Sequence, residues 1–512
     1  MLLITSGAYV ESELFSEFGK IPPAFLPVGN KRLYTYQIAQ FARLHAQVYL
    51  TIPGDFALDE ADAAYLRAQH VDIISTEPGA TLGAAVQDFL TICDPTEPLV
   101  ILYGDTLITD PLPEGDDWLA LGYSDEYYNW HHAAPAHGQP GGTWSGMFSF
   151  SNPGLLRDKL RAHGDFIAAV SAYDRHIGGL HHWKVARWLD FGHVHTYFDS
   201  KCVMTTQRSF NQLCVCDGVV TKSSEDTDKI LAEAAWFEAA PPNVKPYLAG
   251  YICRKQLAPA GYQLEYLHLA ALNELYVFGR LPARVWRKIL RACDAYLHAA
   301  LGIEMPLALP VDGARQTYLD KTMQRLAQFS CKTGTDLDAA WRLNGEATPS
   351  LRAMATDAAD AVLAKPPVAS FVHGDLCFSN ILFDFRAGRI KVIDPRGTDA
   401  MGRPTPYGDL RYDVGKLAHS VLGLYDYIVA GFYELRSDGQ ELALRVLAER
   451  CHEAQQLFLS TQIGGRLPAQ WDCYPVMVLL FLSMLPLHAD NPQRQQALMA
   501  NGIRLYQEWK NI

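Results

Sequence analysis

Phe371-Val-His-Gly-Asp-Leu-Cys-Phe-Ser-Asn380 and, just beyond it, Ile390-Lys-Val-Ile-Asp-Pro-Arg-Gly397 hold the residues best placed for chemistry. Asp375 and Asn380 are five residues apart, and Asp394 follows Asn380 by fourteen. That is the spacing of a phosphoryl-transfer site. One Asp receives the proton of an attacking hydroxyl, an Asn five residues on holds Mg²⁺, and a second Asp on the following hairpin holds Mg²⁺ as well. Two apolar runs, Ile381–Phe383 and Ile390–Ile393, flank a turn with Gly388 and predict that hairpin. The role of metal ligand falls to Asn380 and Asp394, and that of base to Asp375; His373 braces the loop.

Phosphoryl transfer from ATP also needs a strand Lys for the phosphates and a helical Glu to position it. Val219-Val-Thr-Lys222 ends a β-run with Lys222, and Ile230-Leu-Ala-Glu233 offers Glu233 eleven residues later on a helical pattern. Tyr262–Leu267, with Glu265 inside it, is placed to run past the adenine and offer backbone groups.

The elements around these residues divide the chain. At 512 residues it is long enough for two or three domains. The first ~200 residues alternate strand candidates (Leu2–Thr5, Val48–Ile52, Val71–Ser75, Leu99–Tyr103) with helical stretches (Tyr34–Leu44, Ala84–Leu90). This predicts an α/β, Rossmann-like, mostly parallel sheet with ligands at the carboxyl ends of its strands. From about Arg208 the rhythm changes: a hairpin-like stretch, Phe210–Thr221, then a helix, Asp228–Glu238. After Leu264 the chain reads as helical except around Phe371–Gly397. The expected domains are 1–204 and 205–512, the second with a smaller lobe at ~205–270 and a helix-rich lobe at ~271–512, an α+β arrangement.

Residues ~205–512 resemble the aminoglycoside phosphotransferase and choline kinase superfamily, with its His-Gly-Asp-x-x-x-x-Asn and Ile-Asp signatures. The resemblance implies a two-lobed, protein-kinase-like fold, ATP and Mg²⁺ in the cleft, and a small-molecule alcohol as acceptor. The Asp-Pro-Arg-Gly ending is similar to kinase-like proteins of bacterial surface-polysaccharide clusters. Arg396 reads either as a partner for an acidic group or phosphate, which a guanidinium binds bidentately, or as half of a structural salt bridge. Asp409 and Asp413 read as helix caps and anchors.

The first ~200 residues resemble sugar-phosphate nucleotidylyltransferases. The resemblance rests on Pro22–Leu33, on Glu77-Pro-Gly-Ala-Thr-Leu-Gly-Ala84, on Val100–Asp105 and on Trp188-Leu-Asp-Phe-Gly192. It implies that Asp105 and Asp190 bind Mg²⁺, and that Ser6, Gly7, Gly79, Thr81 and Gly83 contact the nucleotide. A glycine-rich loop ending in Arg is replaced by Ser6–Glu13, with one glycine, and Lys20 and Lys31 become the candidate catalytic cations. A divergent transferase and a domain that only binds both remain open. The paired histidines at 131–132, 181–182 and 193/195 read as structural.

The net charge of −12 argues against a nucleic-acid surface, which needs clustered Lys and Arg. Ten scattered cysteines without a Cys-x-x-Cys pair suit reduced thiols in a cytoplasm. Met1–Ile4 reads as a strand rather than a leader, and the apolar run Val476–Leu487 as a buried helix rather than a membrane span. Together these readings predict a bifunctional cytoplasmic enzyme. It would phosphorylate a small alcohol with ATP, then couple the phosphate to an NTP, with CTP favoured, to make a precursor for capsule or another surface polysaccharide. A monofunctional kinase with a degenerate front domain, and a pseudoenzyme acting through protein contacts, are the alternatives; homo-oligomer formation is open.

Overall fold

Leu2, Leu3 and Ile4 are each fully buried, and alternate side chains enter two different cores. Leu2 and Ile4 join Leu50, Ile52 and Leu102 on one face, while Leu3 joins Leu99, Ile101 and Phe148 on the other. A strand apolar on both faces belongs in the middle of a sheet covered on both sides. The computed structural model places it there. It describes residues 1–41, 47–126, 128, 130–132, 142–205, 211–255, 259–303 and 311–512.

The chain divides into two units: Met1–Thr205 with Phe278–Arg280, and Thr206–Val277 with Leu281–Ile512. The first is built on a seven-stranded sheet ordered His181–Lys184, Trp118–Gly122, Thr143–Phe150, Leu99–Tyr103, Leu2–Thr5, Val48–Pro53 and Val71–Thr76. All neighbours pair parallel except Thr143–Phe150, which is antiparallel to both of its own. The α/β, mostly parallel class is therefore observed. The helix expected over Tyr34–Leu44 spans Leu33–Phe41, and its remaining residues lie outside the described ones. Gly83, in helix Leu82–Ile92, touches the backbone of a neighbouring element: a Cβ there would sit 2.5 Å from the Gly164 oxygen.

Arg32 is the least predictable part of this unit. It is 1% exposed and binds Asp62 (2.9 Å), itself completely buried, while the Tyr34 hydroxyl donates to the same carboxylate at 2.7 Å. Neighbouring Lys31 is exposed.

The second unit begins with a four-stranded antiparallel sheet ordered Asn211–Cys216, Val219–Ser224, Gly261–Glu265 and Tyr251–Lys255. Helix Thr227–Ala239 buries Ile230, Ala234, Trp236 and Phe237. The expected hairpin is present with its turn at Asp217-Gly218, both at positive φ; its first residue, Phe210, lies outside the described residues. The predicted hairpin of the site pairs Ile381–Asp384 with Arg389–Val392. Helices Ala283–Leu301, Lys321–Thr333, Leu351–Leu363, Leu410–Val421, Cys473–Met484 and Pro492–Lys510 make most of the remainder.

The expectation of helix alone outside 371–397 is corrected by a further sheet, ordered Glu346–Ser350, Ala340–Leu343, Glu441–Val446 and Tyr433–Asp438. Its two hairpins turn at Asn344-Gly345 and Gly439-Gln440. Asn-Gly is a dipeptide whose left-handed conformations suit tight hairpins, and Asn344 and Gly345 have φ of 50° and 86°. No helix among the described residues is long and apolar enough to cross a membrane.

Removing one partner of a buried ion pair leaves an uncompensated charge. Arg32→Met should therefore destabilise this unit by about 3–5 kcal/mol, whereas Lys31→Met should change stability by about 0.5 kcal/mol or less. Urea unfolding of both variants checks this, and equal midpoints would contradict the burial argument.

Candidate active sites in the two units

In the second unit, Lys222 comes from the second strand of the small sheet and Glu233 from the helix that follows. Their Nζ–Oε2 distance is 2.6 Å, and the Tyr262 hydroxyl donates to the same Glu233 oxygen at 3.0 Å. The Lys222 ammonium also reaches Asp394 Oδ1 at 3.1 Å. Burial opposes its charge, but Asp394 and Glu233 more than offset that, and Lys222 titrates above its ordinary value.

The loop carrying Asp375 is held from three sides. His373, completely buried, donates from Nε2 to the Ile393 oxygen (2.9 Å) and accepts the Asp375 amide at Nδ1 (3.3 Å). Burial lowers its pKa to about 4, so the ring is a neutral brace. Asp413 uses one oxygen for the His373 amide (2.7 Å) and the other for the Gly374 amide (2.8 Å). Asp413 therefore anchors the loop, whereas Asp409 caps helix Leu410–Val421 and binds Arg411. Gly397, at φ 66°, closes the Asp-Pro-Arg-Gly turn against helix Thr227–Ala239, where a Cβ would lie 2.3 Å from the Ala232 oxygen. Asp394 itself has φ 57°, a conformation that non-glycine residues adopt at a cost and mostly at functional positions.

Asp375 Oδ1 binds Lys416 Nζ at 2.8 Å, and its Oδ2 accepts from Asn380 Nδ2 at 3.2 Å. Burial would raise this carboxyl, yet Lys416 and Arg396 hold it well below the usual carboxylate range. Asn380 Nδ2 also donates to the Asp375 backbone oxygen (2.9 Å), so the amide turns its Oδ1 away from Asp375. Asn380 Oδ1 and the Asp394 carboxylate are each hard oxygen donors of the kind that suits Mg²⁺. The structure thus brings Lys222, Glu233 and Asp394 into one cluster and Asp375 and Asn380 into another, joined through the loop between Ile393 and Arg396. Glu265 stands apart. Its amide donates to the Gly250 oxygen and that of Tyr266 to the Gly218 oxygen, each at 2.8 Å. Both amides serve the sheet.

Four residues that sequence reasoning missed stand near Asp375 and Arg396. Lys416 and Tyr412 lie one turn apart on helix Leu410–Val421, and Lys321 and Arg325 one turn apart on helix Lys321–Thr333. The Tyr412 hydroxyl accepts from Arg396 (2.8 Å) and Lys321 (3.2 Å). Burial would raise the Tyr412 phenol, but Arg396, Lys321 and Lys416 bring it down to about 6. Lys321 is pushed down to about 8, mainly by burial, with the Arg396 and Arg325 charges adding to the effect. Spaced four apart on an amphipathic helix, Lys321 and Arg325 look in sequence like a solvated face. Only the packing shows otherwise.

In the first unit, Asp105 follows strand Leu99–Tyr103, and Asp190 ends strand Trp188–Asp190, which pairs with Thr106–Ile108. The Phe191 amide donates to the Asp105 oxygen at 2.8 Å, and a Cβ on Gly192 would lie 2.6 Å from Asp105 Oδ2. Burial and the neighbouring Asp190 charge raise Asp105 to about 7. Two carboxylates so placed favour a cation, which makes the pair a fit for Mg²⁺. His193 (2.9 Å) and the Thr196 hydroxyl also contact Asp190. A cavity of about 300 Å³ beside Asp190 is lined by Asp125, Glu126, Asp199, Trp130 and Trp188, with no Lys or Arg among the described residues around it.

Of the other expected residues of this unit, Ser6 packs against Gly104, the residue before Asp105, where a Cβ on Gly104 would lie 3.1 Å from the Ser6 hydroxyl oxygen. The Ser6 amide donates to the Thr51 hydroxyl (2.7 Å), and its own hydroxyl accepts the Ala24 amide (3.0 Å). Gly7 accepts from the Thr76 hydroxyl at 2.8 Å. Ser6 and Gly83 thus stitch and pack the fold. Gly79 has φ 83°, and Thr81 caps helix Leu82–Ile92 by accepting the Ala84 amide (3.2 Å). Lys20 pairs with Asp55 at 2.6 Å, and Lys31 lies over the Tyr36 ring at 5.8 Å. No contact among the described residues joins either lysine to Asp105 or Asp190.

The Asp105 environment makes a pH prediction. A carboxyl whose folded pKa lies above its ordinary value of 3.8 contributes stability below that value, and the contribution is lost as pH rises through about 7. Asp105→Asn removes this dependence. In chelator-treated buffer its melting temperature should exceed wild type by more at pH 8 than at pH 5. A pH-independent difference would contradict the reading.

No curated protein matches the chain. Among solved structures, it is similar to a nucleoside-diphosphate-sugar pyrophosphorylase from Vibrio cholerae RC9, at 16% identity over 39% of this chain and 99% of that one, with a TM-score of 0.33. It is also similar to HddC from Yersinia pseudotuberculosis (15% identity, 40% and 99% of the chains, TM-score 0.28). A third similar structure is choline kinase from Cryptosporidium parvum Iowa II (11% identity, 60% and 87%, TM-score 0.35). The family comparison falls on the second unit. Residues 213–432, which hold Lys222, Glu233, Asp375, Asn380 and Asp394, match the phosphotransferase enzyme family.

Proposed function

We propose that the second unit transfers the γ-phosphoryl group of ATP to the hydroxyl of a small molecule. The observation that carries this reading is the joint geometry of Lys222, Glu233 and Asp394 with the Asp375–Asn380 loop. Lys222, fixed by Glu233, would hold the ATP phosphates. Asn380 and Asp394 would hold Mg²⁺, which neutralises charge on the triphosphate. Asp375 orients the acceptor hydroxyl. Its oxygen forms a bond to the γ-phosphorus as the bond to the bridging oxygen of ADP breaks, and the hydroxyl proton passes to the Asp375 carboxylate. Lys416 and Arg396 keep that carboxylate ionised, so it waits as the acceptor of a proton released late, as a loose transition state requires.

For the first unit we propose nucleotidylyl transfer, with Asp105 and Asp190 as the Mg²⁺ ligands. A phosphate oxygen of the kinase product would attack the α-phosphorus of an NTP, and pyrophosphate would leave. The kinase product is the nucleophile this step needs, which is the chemical reason for joining the two activities. CTP is the favoured donor, and a cytoplasmic supply of activated building blocks for a surface glycan is the role that fits. The acidic cavity beside Asp190 supports a second reading, in which this unit binds without transferring.

Asp375→Asn should lower ADP release by about 10²–10⁴-fold, the range for loss of a positioned base, while Mg·ATP still binds. Wild-type turnover in that variant would overturn the kinase reading. The same kinase-silent full chain, given chemically phosphorylated acceptors with CTP, UTP, GTP or ATP, should release pyrophosphate with one of them. Its absence with all four would leave the first unit a binding module.

A further inference from the structure

Gly374, the neighbour of Asp375, lines a cavity of about 400 Å³ together with Arg396, Tyr412, Thr317, Asp399, Arg403 and Asp409. Of the charged residues on its wall, Asp399 is paired with Arg403 and Asp409 with Arg411, which leaves Arg396 without a carboxylate partner. Arg396 and Lys321 converge on the Tyr412 hydroxyl, and Arg325 shares the Lys321 face of its helix. Among the described residues, Arg396, Lys321 and Arg325 have no carboxylate at ion-pair distance. Arg396 bonds to Tyr412, Lys321 to Tyr412, and Arg325 to the Ser483 backbone oxygen (3.2 Å). The nearby acids are committed elsewhere: Asp375 to Lys416, Asp413 to two backbone amides, and Asp409 to Arg411.

Three cations gathered at a buried phenol are held against their own repulsion. Tyr412 can offset one of them. A fold bears such an excess where a ligand completes the charge, because buried like charges are costly and a matching oxyanion removes the cost. The elements that build the excess also hold the base: Lys416 on Asp375 and Tyr412 under Arg396 share helix Leu410–Val421. Arg396 is fastened beside Asp375, since its amide donates to the His373 oxygen at 2.9 Å and a Cβ on Gly374 would meet its side chain at 2.8 Å. A π-helical turn, Gln316–Asp320, directly precedes Lys321. Such turns are rare and frequent at functional positions.

We propose that the acceptor is an anionic alcohol, whose carboxylate or phosphate is bound by Arg396, Lys321 and Arg325 while its hydroxyl faces Asp375. This rests on the kinase reading of the site and names the acceptor class. A cationic amino alcohol meets repulsion here, and a neutral polyol leaves the charge uncompensated. The two oxyanion sources share one chemistry and differ in charge and size.

The test measures ADP release by the full-length protein with Mg·ATP and matched acceptors: glycerol, glycerate, glycerol phosphate and ethanolamine, with glucose, gluconate and glucose 6-phosphate as a larger set. Turnover is expected with anionic members only, and the better of the carboxylate and phosphate arms identifies the source. Lys321→Gln/Arg325→Gln should raise the KM for the anionic acceptor at least tenfold while the KM for ATP stays within twofold. A merely structural pair of residues would move both constants, or neither. Equal turnover of neutral or cationic acceptors, or an unchanged acceptor KM in the double variant, would overturn the anionic-acceptor proposal and leave the kinase reading standing. No Asp375-dependent ADP release with any acceptor, anionic ones included, would overturn the kinase reading and the proposal together.

Discussion

A single ammonium group connects the parts of the candidate site in the second unit. Lys222 sits on a strand, Glu233 on the following helix and Asp394 on a loop about 170 residues further on in sequence, and the Lys222 Nζ touches both carboxylates. At 6% and 3% exposure, the side chains of Lys222 and Glu233 have little water to replace either partner. Breaking one contact leaves a buried charge unpaired, so the pair specifies geometry more than it adds stability. The same requirement explains the backbone of the Asp394 loop. Asp394 adopts a positive φ and Gly397 tucks against the Ala232 oxygen, so the loop meets the helix at the one distance that keeps Lys222 between its two acids.

A second constraint is the way helix Leu410–Val421 serves the loop. From one face it delivers Asp413 to the amides of His373 and Gly374 and Lys416 to Asp375, with Tyr412 beneath Arg396. Position and electrostatics of the base are therefore set by one rigid element rather than by the loop. A neutral His373 completes the brace without bringing in a competing proton.

These two constraints differ in how far sequence reveals them. Asp375, Asn380 and Asp394 stand in one contiguous strand–loop–hairpin, so their spacing carries the geometry. Lys222 and Glu233 follow from local order, a strand running into a helix. Lys416, Lys321 and Arg325 reach the site only through helix packing, and a polar i, i+4 pair looks the same whether it faces solvent or a cavity. The sheet containing Ala340–Leu343 and Glu441–Val446 was legible in its Asn344-Gly345 turn and in Gly439 at its other turn, yet its short strands pair across a hundred residues and were hidden by helical surroundings. In the first unit, strand positions follow from runs of apolar residues, and Asp105 lies in the turn before Thr106–Ile108, the strand that pairs with Trp188–Asp190. That Lys20 pairs with Asp55, and Ser6 with Thr51 and Ala24, was not legible, because neither motif says where a flexible cation or a loop hydroxyl will find its partner.

The account stands on phosphoryl transfer at the Lys222–Asp394–Asp375 cluster. Phosphorus NMR of the full-length protein with Mg·ATP and an anionic alcohol follows both reaction products at once. The account predicts a phosphomonoester resonance growing in step with ADP in the wild type and absent from Asp394→Asn. Equal growth of that resonance in the variant, or loss of ATP to inorganic phosphate alone in the wild type, would contradict it.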